Sequence, residues 1–176
     1  MFQKVKAPYI GKGKRQDNVS RVRTDEFSLP LINCKWGNNG IMFYGRPEDF
    51  VSYKNILSVI YNGPPTCGKL YYQENIGVYT DAYLICLKDK PDISRELGLY
   101  LVTAIEASTF NTHYARNNKA TWDKKVEDDI IFLPVDENGI PDWDYMERYI
   151  RAIEKVVIAD AVQWKDKVIA VTKETI

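Results

Sequence analysis

The stretch DWDYMERYIRAIEKVVIADAVQWKDKVIAVT, residues 142–172, decides how this chain is organised. Its apolar residues Trp143, Met146, Ile150, Ile153, Val157, Ala161, Trp164, Val168 and Val171 recur at steps of three and four, with an additional four between Val157 and Ala161. That spacing predicts a long helix with a seam that packs along another long helix, and a stutter at its middle. Asp142 is the expected N-cap, and Asp144 and Glu147 put negative charge in the first turn, where the helix dipole favours it. Gly139 and Pro141 punctuate the entry. At ~1.5 Å per residue the run reaches on the order of 45 Å, more than a compact domain of this size needs. A core helix closing its own domain is one reading. A partner-seeking helix is the better one, because Trp143 and Trp164 are costly side chains to leave in water.

Working outward, the residues ahead of this helix are acidic. From Glu127 to Glu147 the chain carries Glu127, Asp128, Asp129, Asp136, Glu137, Asp142, Asp144 and Glu147 with no base. From Lys4 to Arg23 it carries Lys4, Lys6, Lys12, Lys14, Arg15, Arg21 and Arg23 against Asp17 alone. Net charge is zero, yet this segregation predicts a dipolar surface with one end able to attract phosphates. A solvated charged face remains the alternative. Gly11–Arg15 (GKGKR) sets mobile cations beside exposed backbone N–H groups, so Lys12, Lys14 and Arg15 are candidates for phosphate contact. The stretch lacks the GxxxxGK[ST] spacing of a nucleotide-binding loop.

Between these two charged regions the pattern is that of a mixed α+β domain. Strands are expected at Phe27–Cys34, Ile41–Tyr44, Asn55–Ile60, Lys69–Tyr72, across Val78–Leu87 with Asp81 marking its beginning, and in the IIFLPV run that ends at Val135. A helix is expected over Ile93–Thr109, with Leu97, Tyr100, Leu101, Ala104, Ile105 and Ser108 on one stripe and Ser94 near its start. The Asn-Gly pair of KWGNNG (residues 35–40) between two apolar runs is a strong hairpin signal. Asparagines at such a tip, Asn38 and Asn39, can also pair bidentately with adenine in a major groove. Asn62–Gly68 (NGPPTCG) is a stiff loop. Thr112–Trp122 mixes cations, amides and aromatics with no apolar period and should be an exposed loop, with Trp122 as a packing anchor.

Several functions are excluded. Apolar content of 45% and charge of 27% are those of an ordered globular protein. No run approaches the ~20 apolar residues of a membrane span, and the start has no apolar core for a signal peptide. Cys34, Cys67 and Cys86 are odd in number and match no metal spacing, which suits reduced thiols in the cytoplasm. His113 is the only histidine, so no Ser/His/Asp set is expected. The Pro91-Asp92 and Pro141-Asp142 pairs are not followed by the acid-x-Lys pair of a metal-dependent nuclease. Gly63 and Thr66 spoil the likeness of NGPP to an amino-methyltransferase loop. No catalytic residue, metal or cofactor is expected.

PLINCKWGNNGIMFYG (residues 30–45), followed in order by NGPPTCGKLY, VYTDAYLI, NKATWDKKVEDDIIFLPV and DENGIPDWDYMERYIRAIE, resembles the target-recognition domains of restriction-modification specificity subunits. The resemblance is to the specificity subunits of type I systems and the related parts of BcgI-like and type IIG enzymes, and it covers nearly the whole chain. It implies a DNA-reading, mixed-sheet module at 1–138 followed by a spacer helix at 139–176. In the family, that helix packs antiparallel in a coiled coil and docks methyltransferase subunits. Family members usually carry two recognition domains and two spacer helices, whereas this chain has one of each. It is therefore expected to be a half-subunit that forms a homodimer, or a fragment. Positions near the matched loops become candidates for contact with double-stranded DNA: Lys35, Asn38, Asn39, Asn62, Thr66, Arg116, Asn117, Asn118 and Lys119. Two rivals stay open, a DNA-cleaving or DNA-modifying enzyme with an unrecognised site and a scaffold that does not bind DNA.

Overall fold

A computed structural model describes residues 1–7, 18–63, 65–110 and 112–174, with side chains as far as Ile169. Lys12, Lys14 and Arg15 lie outside those described positions, as does the side chain of Val171. The chain divides into two compact units, Met1–Leu133 and Pro134–Ile176.

The first unit is built on a seven-stranded mixed sheet: β1 (Phe2–Lys4), β2 (Val19–Ser20), β3 (Leu29–Ile32), β4 (Ile41–Gly45), β5 (Tyr53–Ile60), β6 (Leu70–Val78) and β7 (Ala82–Leu87), in the order β1-β7-β5-β6-β3-β4-β2. All neighbours are antiparallel except β3 and β6, which are parallel through Leu31↔Gly77 and Ile32↔Val78. The hairpin expected around Asn-Gly is present: β3 and β4 pair across a 3-10 turn at Asn38–Gly40.

The sheet is curled onto its own face. Val78 stands beside Ile32, and Ala82 stands beside Ile60 at the far end of β5. A chain running from Val78 to Ala82 covers at most about 14 Å, which is shorter than the ~23 Å of strand between Tyr53 and Ile60. Only a bent sheet closes that gap. Asn55, at φ 49, breaks the side-chain alternation of β5, so that Tyr53 and Ile56 both face the inner cluster of Ile32, Ile76, Ala82, Leu84 and Cys86. On the opposite face lies α1 (Arg95–Thr109), capped by the Ser94 hydroxyl, which accepts from Leu97 N. Its buried stripe is Leu97, Leu101, Ile105 and Thr109. Gly98 is needed there because a Cβ would come within 2.2 Å of the Tyr72 ring.

Three expectations are corrected. Val78–Leu87 is not continuous strand: Val78 ends β6, and β7 starts only after Asp81, the residue expected to mark its beginning, which adopts φ 57 and turns the chain there. IIFLPV forms no strand of the sheet: Ile130 and Phe132 are exposed, Val135 makes only an isolated bridge to Pro141, and Pro134 has no N–H to offer a ladder. The Thr112–Trp122 loop is not wholly exposed, since Tyr114 and Ala120 are buried with Cys67 and Val126 in a satellite core against which Trp122 packs.

The second unit opens with a tight turn. The Asp136 carboxylate accepts from Asn138 N at 2.8 Å and Ile140 N at 3.0 Å, and these backbone bonds hold its pKa below the ordinary aspartate value. The helix α2 (Trp143–Glu174) follows, capped as expected by Asp142, whose Oδ1 accepts from Tyr145 N at 2.8 Å. Asp144–Arg148 and Glu147–Arg151 form i,i+4 ion pairs on its first turns. Trp143 and Ile150 are half-buried and Met146 is fully buried. Ile153, Val157, Ala161, Trp164 and Val168 are exposed, and so are Val156, Ile158, Val162 and Ile169 outside the expected seam. No described helix is long and apolar enough to cross a membrane.

Candidate nucleic-acid interface

Three loops meet at one end of the first unit. The β3–β4 loop (Asn33–Gly40) is joined to the β5–β6 loop (Tyr61–Lys69) by the Thr66 hydroxyl, which donates to Gly63 O at 2.6 Å and Cys34 O at 3.1 Å. The β5–β6 loop is joined to the segment after α1 by Cys67, whose thiol donates to Ala115 O at 3.6 Å while its sulfur accepts from Ala120 N at 3.4 Å. The third loop reaches back to the first through Phe110, whose ring lies 5.5 Å from that of Trp36.

The residues expected to contact DNA fall into two groups. In the first the side chain is already engaged within the fold. Thr66 is buried. Asn62 Nδ2 donates to Asp81 Oδ1 at 2.8 Å. Asn39 Nδ2 donates to Tyr72 O at 2.8 Å and Gln73 Oε1 at 3.2 Å, while Gln73 Nε2 donates to Asn39 O. Asn118 Nδ2 donates to His113 O and its Oδ1 accepts from Lys125 Nζ at 2.8 Å. Asn38 Nδ2 donates to Ile41 O at 3.2 Å, which leaves its carbonyl oxygen without a partner among the described residues. These amides shape the loops.

In the second group the side chain is available. Ala115 and Asn118 bond to each other through N and O in both directions, which makes Arg116 and Asn117 the tip of a closed turn. Both are exposed, as is Lys119, and Lys35 is half-buried. A bidentate amide and a guanidinium held on a rigid turn suit hydrogen bonding to base edges, and the lysines suit phosphate. The support under the turn is firm. The buried Tyr114 hydroxyl donates to Asp129 Oδ2 at 2.9 Å, and burial followed by that bond raises its pKa well above the tyrosine range. Burial likewise raises the Cys34 thiol, helped by the charge of Asp81, so it stays protonated and unreactive at neutral pH.

Elsewhere on the unit a cleft of about 1130 Å³ lies between β1 and residues 121–131. Lys4, Lys6 and Lys88 line it together with Asp123, Glu127, Asp128 and Asp129. With both signs present it does not favour a polyanion. Among the described residues no group of His, Cys, Asp and Glu could hold a metal ion.

One exposed feature of the loop end escapes the sequence pattern. Trp36 is 57% exposed, although periodicity alone cannot tell it from a core tryptophan. Its place between Lys35 and Gly37, inside a turn, is the signal.

The first unit is thus a curled mixed sheet that gathers three loops under exposed amide and cationic side chains, and a long amphipathic helix follows it in the chain. Residues 3–163 match the type I restriction modification DNA specificity domain, and the chain belongs to that family. It is similar to the specificity subunit S.BcgI of a Type II restriction enzyme from Heyndrickxia coagulans, with 26% identity over 132 residues. That match takes in 74% of this chain and 37% of the relative, so the chain spans well under half the relative's length. No solved structure matches.

The division between framework and available side chains generates a prediction. Asn39→Ala should lower stability toward urea by about 1–2 kcal/mol, because it strands Tyr72 O and Gln73. Arg116→Ala should change stability by less than about 0.5 kcal/mol. Equal effects of the two substitutions would contradict the division.

Proposed function

We propose that this chain is a non-catalytic, cytoplasmic specificity component that reads one half of a bipartite double-stranded DNA site and positions methyltransferase and nuclease subunits on it. The recognition role falls to residues 1–138 and the coupling role to residues 139–176. The observation that carries the reading is the Ala115–Asn118 turn, which holds Arg116 and Asn117 out from the loop end in a chain of the specificity-domain family. Lys35 and Lys119 supply phosphate contacts beside them, and Lys12, Lys14 and Arg15 add to these from the N-terminal segment.

The exposed apolar residues of α2 favour assembly. Trp164, 69% exposed, and Val157, 59% exposed, are apolar surface left in water. An antiparallel pairing of Ile153, Val157, Ala161, Trp164 and Val168 with the same helix of a second copy buries them around a two-fold axis. Two identical half-sites in opposite orientation would then be read, at a spacing the helices fix. Val156, Ile158, Val162 and Ile169 lie outside that seam and remain for a methyltransferase subunit. Met146 is buried already and takes no part.

Binding of purified chain to a pool of random duplexes tests the recognition role. A preferred sequence is expected, and Asn117→Ala should relax the preference at one position by about 1–3 kcal/mol. A loss of affinity equal on every duplex would assign Asn117 to the backbone instead. For assembly, light scattering over a concentration series should give a dimer for the wild type and a monomer for Ile153→Asp with Val157→Asp. A dimer that survives both substitutions would place the interface elsewhere.

A further inference from the structure

We infer that Trp36 is a base-reading residue, its exposed indole making the apolar contact to the 5-methyl group of a thymine in the major groove. The inference deepens the DNA-reading role proposed above and rests on it.

The β3–β4 loop holds this side chain outward at some conformational expense. Gly37, Asn38, Asn39 and Gly40 all adopt positive φ, at 72, 45, 54 and 73°, a run that unconstrained chain rarely sustains and that accumulates where surrounding bonds fix it. The fixing bonds are present. Gly37 N donates to the Tyr71 hydroxyl at 3.2 Å, Gly40 N to Gly37 O at 2.9 Å, and the Asn38 and Asn39 amides tie down as described. Trp36 is thus locked in place while 57% of it faces water.

What lies against the indole is also arranged. Lys69 Nζ sits 4.9 Å from the Phe110 ring, 5.7 Å from Tyr71 and 6.0 Å from Trp36. The Glu106 carboxylate holds it at 2.8 Å. An anchored ammonium among three rings restrains the indole before any ligand arrives, and a rigid aromatic loses little entropy on contact.

The charge around the loop end says what the indole meets. Lys35 precedes it in the chain, and Arg116, Asn117 and Lys119 stand on the turn bonded to the same loops through Cys67 and Thr66. This is a donor-rich surface with an exposed indole beside it. A major groove offers the complement: acceptors at guanine O6 and N7, adenine N7 and thymine O4, with thymine's methyl as its apolar group.

The test uses the full chain and the duplex it selects from a random pool. Each thymine of that duplex is exchanged in turn for deoxyuridine, which deletes only the methyl. One exchange should weaken wild-type binding about fourfold, the worth of a buried methyl. Trp36→Ala should weaken binding to the parent duplex on the order of tenfold, as a contact at the heart of an interface does, and the same exchange should then have no effect. Thermal melting should show the variant folded, and Trp36→Phe should keep part of the dependence on the methyl. A selected duplex on which no thymine exchange couples to Trp36 overturns the inference. So does a Trp36→Ala loss that is equal on all duplexes, or a preference that depends on Asn117 but not on Trp36. A wild-type chain that selects no duplex overturns the DNA-reading role itself, and this inference with it.

Discussion

A Cβ on Gly68 would lie 2.1 Å from the Thr109 carbonyl oxygen, and Gly68 sits at φ 82. Glycine alone lets the β5–β6 loop approach the last turn of α1 this closely. The contact is fastened on both sides, by the Thr109 hydroxyl donating to Gly68 O at 2.8 Å and by Glu106 accepting from Leu70 N at 2.8 Å. Each neighbour of Gly68 then carries part of the loop end. Lys69 reaches Glu106 and the rings of Phe110 and Trp36, Cys67 reaches Ala115 and Ala120, and Thr66 reaches Cys34. A surface made of three loops is rigid here because one loop is pinned to a helix and the other two are pinned to it.

That arrangement explains which parts of the fold were legible in the sequence. The long helix and α1 announced themselves through apolar periodicity, and Asp142 and Ser94 through the chemistry of capping. The β3–β4 hairpin followed from Asn-Gly. Failures came where a local pattern lacked a long-range partner. IIFLPV has the composition of a strand but joins none of the named strands, its one bridge being that of Val135 with Pro141. The start of β7 was legible from Asp81, a polar residue in an apolar run, whereas the parallel pairing of β3 with β6 is something no short-range pattern reports.

The candidate surface could be drawn from residue types, but not which of its side chains the fold leaves available. Asparagine, threonine and lysine serve equally well to contact a base and to close a turn, because the same short donors and acceptors do both. Only the bonds separate Asn117, exposed at a turn tip, from Asn39, Asn62 and Asn118, which hold the loops in shape. Trp36 is the converse case. Its indole looks like core material in a composition and is surface in the fold.

In the proposed role, the loop end of the first unit faces DNA while the distal part of α2 does not. Hydrogen–deuterium exchange of the chain, alone and saturated with its preferred duplex, tests this most directly. Exchange should slow on DNA at residues 33–40 and 112–120, with residues 153–169 of α2 unchanged at constant chain concentration. Protection confined to α2 or to the cleft beside β1, with those two loops unaffected, would contradict it.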